Sequence, residues 1–137
     1  MATINATISI TSNAMTYPIN VSKTMTMKKL GLTTGLENTD GLSSKKFAAL
    51  TYVKIIEAAD STSSKASKVY VRNTGSSKTD YFYIAINASA AAAATTETIG
   101  RLYGGDWMLI PYEGATDLGV QPSTVEPMTL EYCMFYE

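Results

Sequence analysis

Tyr81-Phe82-Tyr83-Ile84-Ala85-Ile86 reads as a β-strand that is apolar on both sides, and its reading decides the fold. Side chains alternate faces along a strand, so Phe82, Ile84 and Ile86 share one face and Tyr81, Tyr83 and Ala85 the other. An antiparallel sheet with one wet face should instead alternate apolar and polar residues. Trp107-Met108-Leu109-Ile110 repeats the pattern, and so does Tyr132-Cys133-Met134-Phe135-Tyr136. No long amphipathic helix is legible that could cover a second apolar face. A second sheet or a neighbouring chain must then do so.

Working outward, shorter alternating runs fill the chain. Residues 3–10 place Ile4, Ala6, Ile8 and Ile10 against Thr3, Asn5, Thr7 and Ser9. A second run sets Ile19, Val21, Met25 and Met27 against Asn20, Ser22, Thr24 and Thr26, with Lys23 interrupting its apolar side. The two predict a hairpin, and residues 1–28 as a whole an N-terminal hairpin or extended arm. Residues 31–46 are rich in Gly, Ser, Thr, Asn and Asp and predict a long loop that packs Leu32, Leu36 and Leu42 on a neighbour. Strands follow at Thr51–Ile56 and Lys68–Arg72, the latter expected to form a hairpin with Tyr81–Ile86. Residues 60–67 read as a polar turn, and the alanine tract of 88–94 as a loop tip or single helical turn. Gly104-Gly105-Asp106 makes a tight turn between two strands. Asp117–Val120 reads as a short edge strand, and Leu130–Tyr136 closes the chain. The expectation is one all-β domain over 1–137, an antiparallel β-sandwich or barrel of jelly-roll-like type with seven to nine short strands.

Composition narrows the function. Basic and acidic residues number 11 and 12 in 137 residues, with no dense basic stripe of the kind phosphate binding requires. Lys28-Lys29 and Lys45-Lys46 read as solvated strand or loop ends. No nucleic-acid partner is expected, and no apolar run approaches a membrane helix. The start of the chain lacks the basic and apolar segments of a secretory leader, so synthesis in a reducing cytoplasm is expected and its three glycosylation sequons read as chance. Cys133 reads as a small buried hydrophobe rather than a reactive thiolate.

Histidine is absent, which removes the commonest general base and metal ligand. A carboxylate pair is conceivable, for example Asp106 with Glu113 or Asp117, but all three sit beside turn residues and read as solvated. The expectation is a non-enzyme without metal, cofactor or small-molecule substrate. Tyrosine outnumbers phenylalanine nine to three, and a phenol tolerates both an apolar contact and water, as protein interfaces require. Tyr81, Tyr83, Tyr103, Tyr112, Tyr132, Phe135 and Tyr136 are the candidate interface residues. Trp107 is expected in the core, with a carbohydrate-binding platform as the alternative.

Three strings carry a resemblance: Lys68-Val69-Tyr70-Val71-Arg72-Asn73-Thr74, Gly104-Gly105-Asp106-Trp107-Met108-Leu109-Ile110-Pro111-Tyr112, and Leu130-Glu131-Tyr132-Cys133-Met134-Phe135-Tyr136. Over residues 65–137 the chain resembles small virion proteins of tailed bacteriophages, of the decoration (cement) or minor capsid type. The resemblance implies a structural protein on the capsid surface, made in the host cytoplasm. Its implied partners are the major capsid protein and copies of itself, with a trimer among the arrangements suggested. It transfers no functional residues beyond these strands. A collar, tail or fibre component and a carbohydrate- or receptor-binding β-sandwich remain the alternative readings.

Overall fold

The structure, a computed structural model, describes residues 3–13, 16–29, 35–58, 65, 67–86 and 98–137. The alanine tract, Leu32 and most of the 60–67 turn lie outside these. Among the described residues the chain is nearly all strand, without an α-helix. The strands are β1 (Asn5–Ser12), β2 (Ile19–Thr26), β3 (Asn38–Thr39), β4 (Ser43–Phe47), β5 (Val53–Ile56), β6 (Ser67–Asn73), β7 (Tyr81–Ile86), β8 (Thr98–Tyr103), β9 (Trp107–Tyr112), β10 (Leu118–Pro122) and β11 (Met128–Tyr136).

Nine of these strands build the sandwich and the first two stand apart. One sheet runs β5-β10-β7-β8; the other runs β3-β11-β6-β9, with β4 following β3 along the same edge of β11. Every pairing is antiparallel, and the pairs nest: β4 with β11, β5 with β10, β6 with β9, β7 with β8. That is one long hairpin, doubled back between β7 and β8 and rolled so that alternate pairs fall in opposite sheets. The orders β4-β11-β6-β9 and β5-β10-β7-β8 are the connectivity of a jelly roll.

Alternation decides what each strand buries. Val69 and Val71 of β6 point inward beside Met134 and Tyr132 of β11 and Ile110 and Met108 of β9. From the other sheet come Phe82 and Ile84 of β7, Leu102 of β8 and Leu118 and Val120 of β10. Phe47 and Phe82 meet edge to face across the sandwich, ring centroids 5.3 Å apart. Burying such side chains contributes about 1.5–3 kcal/mol each.

Several expectations change. Tyr81–Ile86 does not pair with the Lys68–Arg72 strand: β6 lies between β11 and β9, while β7 lies in the opposite sheet between β10 and β8. β6 buries one complete face and β7 buries Phe82 and Ile84, and opposite sheets let those side chains meet. The 117–120 stretch is an interior strand, since β10 pairs with β5 on one side and β7 on the other. The 31–46 stretch holds strands β3 and β4 rather than a loop throughout. Between them Asp40-Gly41-Leu42 opposes Cys133-Met134, one residue too many, and Gly41 takes φ 81° to absorb it as a bulge. The expected leucine packing divides too: Leu36 is fully buried and Leu42 is 64% exposed.

The β6–β7 and β8–β9 crossovers meet at one corner. Asn73 is buried there; its Nδ2 donates to the Leu102 carbonyl at 3.0 Å and its Oδ1 accepts from the Gly75 N–H at 3.0 Å. Its backbone N–H donates to the Asp106 carbonyl, and its carbonyl accepts from the Gly105 N–H, each at 3.0 Å. Gly104 lies so close to the other crossover that an added Cβ would sit 2.5 Å from the Ser77 carbonyl oxygen. Only glycine fits there.

Asn73→Ala leaves the Leu102 carbonyl and the Gly75 N–H without their buried partner, an expected cost of about 1–3 kcal/mol in urea unfolding with little change in m. A second prediction concerns pH. Lys54 Nζ of β5 lies 2.7 Å from Oδ2 of Asp117, the residue leading into β10, and Asp117 also accepts from the Ala58 N–H. The hydrogen bond from Lys54 and then that from Ala58 hold the Asp117 carboxyl below its ordinary range; the same pairing holds Lys54 above its own. The carboxylate's contribution is therefore full above the ordinary aspartate range and fades as pH falls through the lowered value. Asp117→Asn should lower Tm near neutral pH, and the difference from the parent should shrink on acidification below that range.

Candidate assembly surface

The β1–β2 hairpin is an amphipathic ribbon whose apolar face has no sheet closed upon it. Its register sets Ala6 opposite Met25, Ile8 opposite Lys23, Ile10 opposite Val21 and Ser12 opposite Ile19 on one face. The other face is wholly polar: Thr7 and Thr24 hydroxyls lie 2.7 Å apart, and Thr26 donates to Asn5 at 2.8 Å. Ile8, Ile10, Ile19, Val21 and Met25 remain 39–49% exposed. The base of the ribbon is anchored instead. Met27 and Leu36 are buried; Met27 N–H donates to Ile4, Ile4 N–H to Leu36, and Leu36 N–H to Met27. A Lys29–Glu37 ion pair closes this junction and holds the Glu37 carboxyl below its ordinary range.

Between ribbon and sandwich runs a groove of about 1080 Å³. Its far wall is the outer face of the β11-β6-β9 sheet: Tyr70, Trp107, Leu109 and Phe135. Trp107 was expected in the core but is 50% exposed, because it lies opposite Arg72 on the outward side of the β6–β9 pair. Its ring leans on Tyr70, centroids 6.4 Å apart. Cys133, on the same outward side, is buried with its Sγ 3.0 Å from the Thr39 hydroxyl. A smaller cavity of about 330 Å³ opens beside the Gly41 bulge, against Ile55, Ile56 and Tyr132.

The opposite outer face of the sandwich carries a second cluster. Tyr81 and Tyr83 are hydroxyl to hydroxyl at 2.9 Å with rings edge to face, centroids 4.9 Å apart; Tyr103 lies 5.1 Å from Tyr81. The Arg101 guanidinium covers the Tyr81 ring at 4.8 Å and the Tyr83 ring at 5.5 Å. The hydrogen bond with Tyr83, and then burial, raise the Tyr81 phenol above the ordinary tyrosine range, with Arg101 pulling the other way. Beside this cluster Ala85 is buried against Tyr52.

The seven candidate interface residues therefore divide. Tyr81, Tyr83 and Tyr103 come together on one outer face, and Phe135 lines the groove on the other. Tyr112 is only 7% exposed, with its hydroxyl donating to the Thr116 carbonyl at 2.6 Å. Tyr132 and Tyr136 pack on the core from the inward side of β11. Missing from the set were Ile8, Ile10, Val21, Trp107 and Arg101. The uninterrupted Thr/Ser/Asn alternation opposite the ribbon's apolar residues was the available signal for the first three.

Of the carboxylates considered for chemistry, Asp106 accepts from the Tyr103 N–H at 2.9 Å and Asp117 is held by Lys54. Among the described residues no three His, Cys, Asp or Glu side chains converge as metal ligands would. What the arrangement offers is contact area: an apolar ribbon, a groove and a tyrosine–arginine patch, residue types that concentrate binding energy at protein interfaces.

Arg101→Ala removes the cation that favours phenolate at Tyr81. Ultraviolet titration should show the Tyr81 component moving to higher pH, and an unchanged titration would mean that the stacked geometry carries no electrostatic weight. In comparisons with known proteins, the chain matches no family model, no curated protein and no solved structure.

Proposed function

We propose that this chain is a non-enzymatic structural protein that works by assembly, as a decoration protein on the outer surface of a phage head. Its partners in this reading are the major capsid protein and further copies of itself. The observation that carries the assembly reading is the β1–β2 ribbon: five large apolar side chains on one face, each roughly 40–50% exposed, on an element whose base is anchored by Met27 and Leu36. The capsid location rests on the resemblance of residues 65–137 to small phage virion proteins. A jelly roll is compatible with it, being used for viral capsid and lectin domains alike, but a fold alone assigns no function. Weak individual contacts suffice on a shell, because a lattice presents many equivalent sites to each assembled unit.

One observation favours a second reading. Trp107 stands half-exposed beside Tyr70 in the wall of a groove, an arrangement that could stack on a sugar ring. Trp107 fluorescence unchanged by glycans across an array would eliminate this reading.

The assembly reading is tested by co-sedimentation with phage head shells purified without this chain. The parent protein should pellet with shells, and an Ile8→Asn/Ile10→Asn variant should bind about tenfold more weakly or worse, since each isoleucine forfeits its burial. Its sandwich should melt as before, because the ribbon adds no side chain of these two to the core. A parent protein that never pellets with shells would remove the capsid assignment.

A further inference from the structure

Among the described residues, each free strand edge bears a feature that discourages a further strand, with one exception; β3, for instance, is only two residues long. β4 carries Lys45 and Lys46 and adjoins the Gly41 bulge; β5 is four residues long and carries Lys54. β8 carries Arg101 and a register irregularity opposite Ile84–Ala85. β9 contains Pro111, which has no N–H to offer, and β2 carries Lys23. Charges, prolines, bulges and shortness are the ordinary means of protecting an edge. β1 has none of them. Asn5-Ala6-Thr7-Ile8-Ser9-Ile10-Thr11-Ser12 is eight residues without charge, proline or glycine, half of them β-branched. Among the described residues β1 pairs with β2 alone. An edge of this kind is a template for another strand.

The groove lies along that edge. It is lined by every residue from Ile4 to Ile10, but by only the alternate residues Lys23, Met25 and Met27 of the β2 side. Lining by consecutive residues marks β1 as bordering the space with its edge, whereas the second strand presents only a face. The space beside β1 is floored by Tyr70, Trp107 and Leu109.

We infer that the strand added to β1 is β1 of a second copy, paired antiparallel about a two-fold axis to give a continuous ribbon β2-β1-β1-β2. This rests on the assembly reading above and names the first partner of that surface. A two-fold normal to the ribbon keeps both apolar faces on one side of the joined ribbon. In the register that sets Ser9 on the axis, Ile8 meets Ile10 and Thr7 meets Thr11 across the new pair, favourable neighbours on a strand. Electrostatics permits it. Uncharged strands meet at the axis, and the two Lys23 residues lie three strand spacings apart, about 14 Å. That exceeds the screening length of about 8 Å at physiological salt.

Light scattering on the isolated chain over a range of concentrations tests the pairing, with a dimer expected. Thr7→Lys/Ser9→Lys places four lysines along the shared edge from the polar face and should weaken the dimer at least tenfold. Thr7→Ser/Ser9→Thr should leave it intact, which separates charge from a general effect of substitution. A monomer at all concentrations, another stoichiometry, or a dimer indifferent to the lysines would overturn the inference. So would a monomer whose shell binding alone is abolished by them, since β1 would then take its strand from the shell. A lysine-sensitive dimer that ignores shells sustains the pairing while removing the capsid assignment.

Discussion

The corner at Asn73 is the constraint on which the rest of the sandwich depends. A jelly roll needs its two sheets to exchange strands without leaving buried backbone groups unpaired, and here two crossovers do so side by side. Asn73 satisfies four groups from one position, through its side chain to Leu102 and Gly75 and its backbone to Gly105 and Asp106. Its side chain reaches from β6 in one sheet to β8 in the other. A purely apolar residue could fill the space but could not supply those partners, and an unmade buried hydrogen bond costs more than a made one contributes. Gly104 completes the arrangement by allowing backbone to lie directly on backbone.

Strand positions were legible in the sequence because period-two alternation is local. Tyr81–Ile86, Trp107–Ile110 and Leu130–Tyr136 all lie in strands, and the 3–10 and 19–27 runs form the expected hairpin. Partners within the sandwich were not legible. Proximity along the chain suggested that β6 pairs with β7, yet a jelly roll sends neighbours to opposite sheets and pairs distant segments. The 117–120 stretch looked like an edge because it is short; in the structure β5 takes its other edge. β3 and β4 were hidden by their polar composition, since an edge strand such as Ser43–Phe47 needs only Phe47 to reach the core. Trp107 illustrates the remaining difficulty: Trp107-Met108-Leu109-Ile110 is apolar throughout, so alternation could not say which residues face in. Pairing with β6 settles it, sending Met108 and Ile110 inward and Trp107 and Leu109 outward.

The doubly apolar strands thus resolve in two different ways. On β7 the second face is covered largely from within, by the mutual packing of Tyr81, Tyr83 and Tyr103 under Arg101, and by Tyr52 over Ala85. Tyrosine suits this position because its ring shields the sheet while its hydroxyl meets water. On β9 and β11 the second face looks into the groove, and the ribbon that overhangs it spreads an apolar face of its own. One outer face is therefore self-contained and the other is open, which gives the molecule a polarity that its near-neutral net charge does not express.

Nested pairing also dictates an order of events during folding. Phe47 and Met128, partners on β4 and β11, lie about eighty positions apart, so the outermost pair must await most of the chain and close a large loop. The β1–β2 ribbon closes over a handful of residues and can form while the sandwich is still unmade. For a time its unguarded margin would then be present with no groove beneath it, which makes newly made chains at high concentration prone to sticking before their cores are complete.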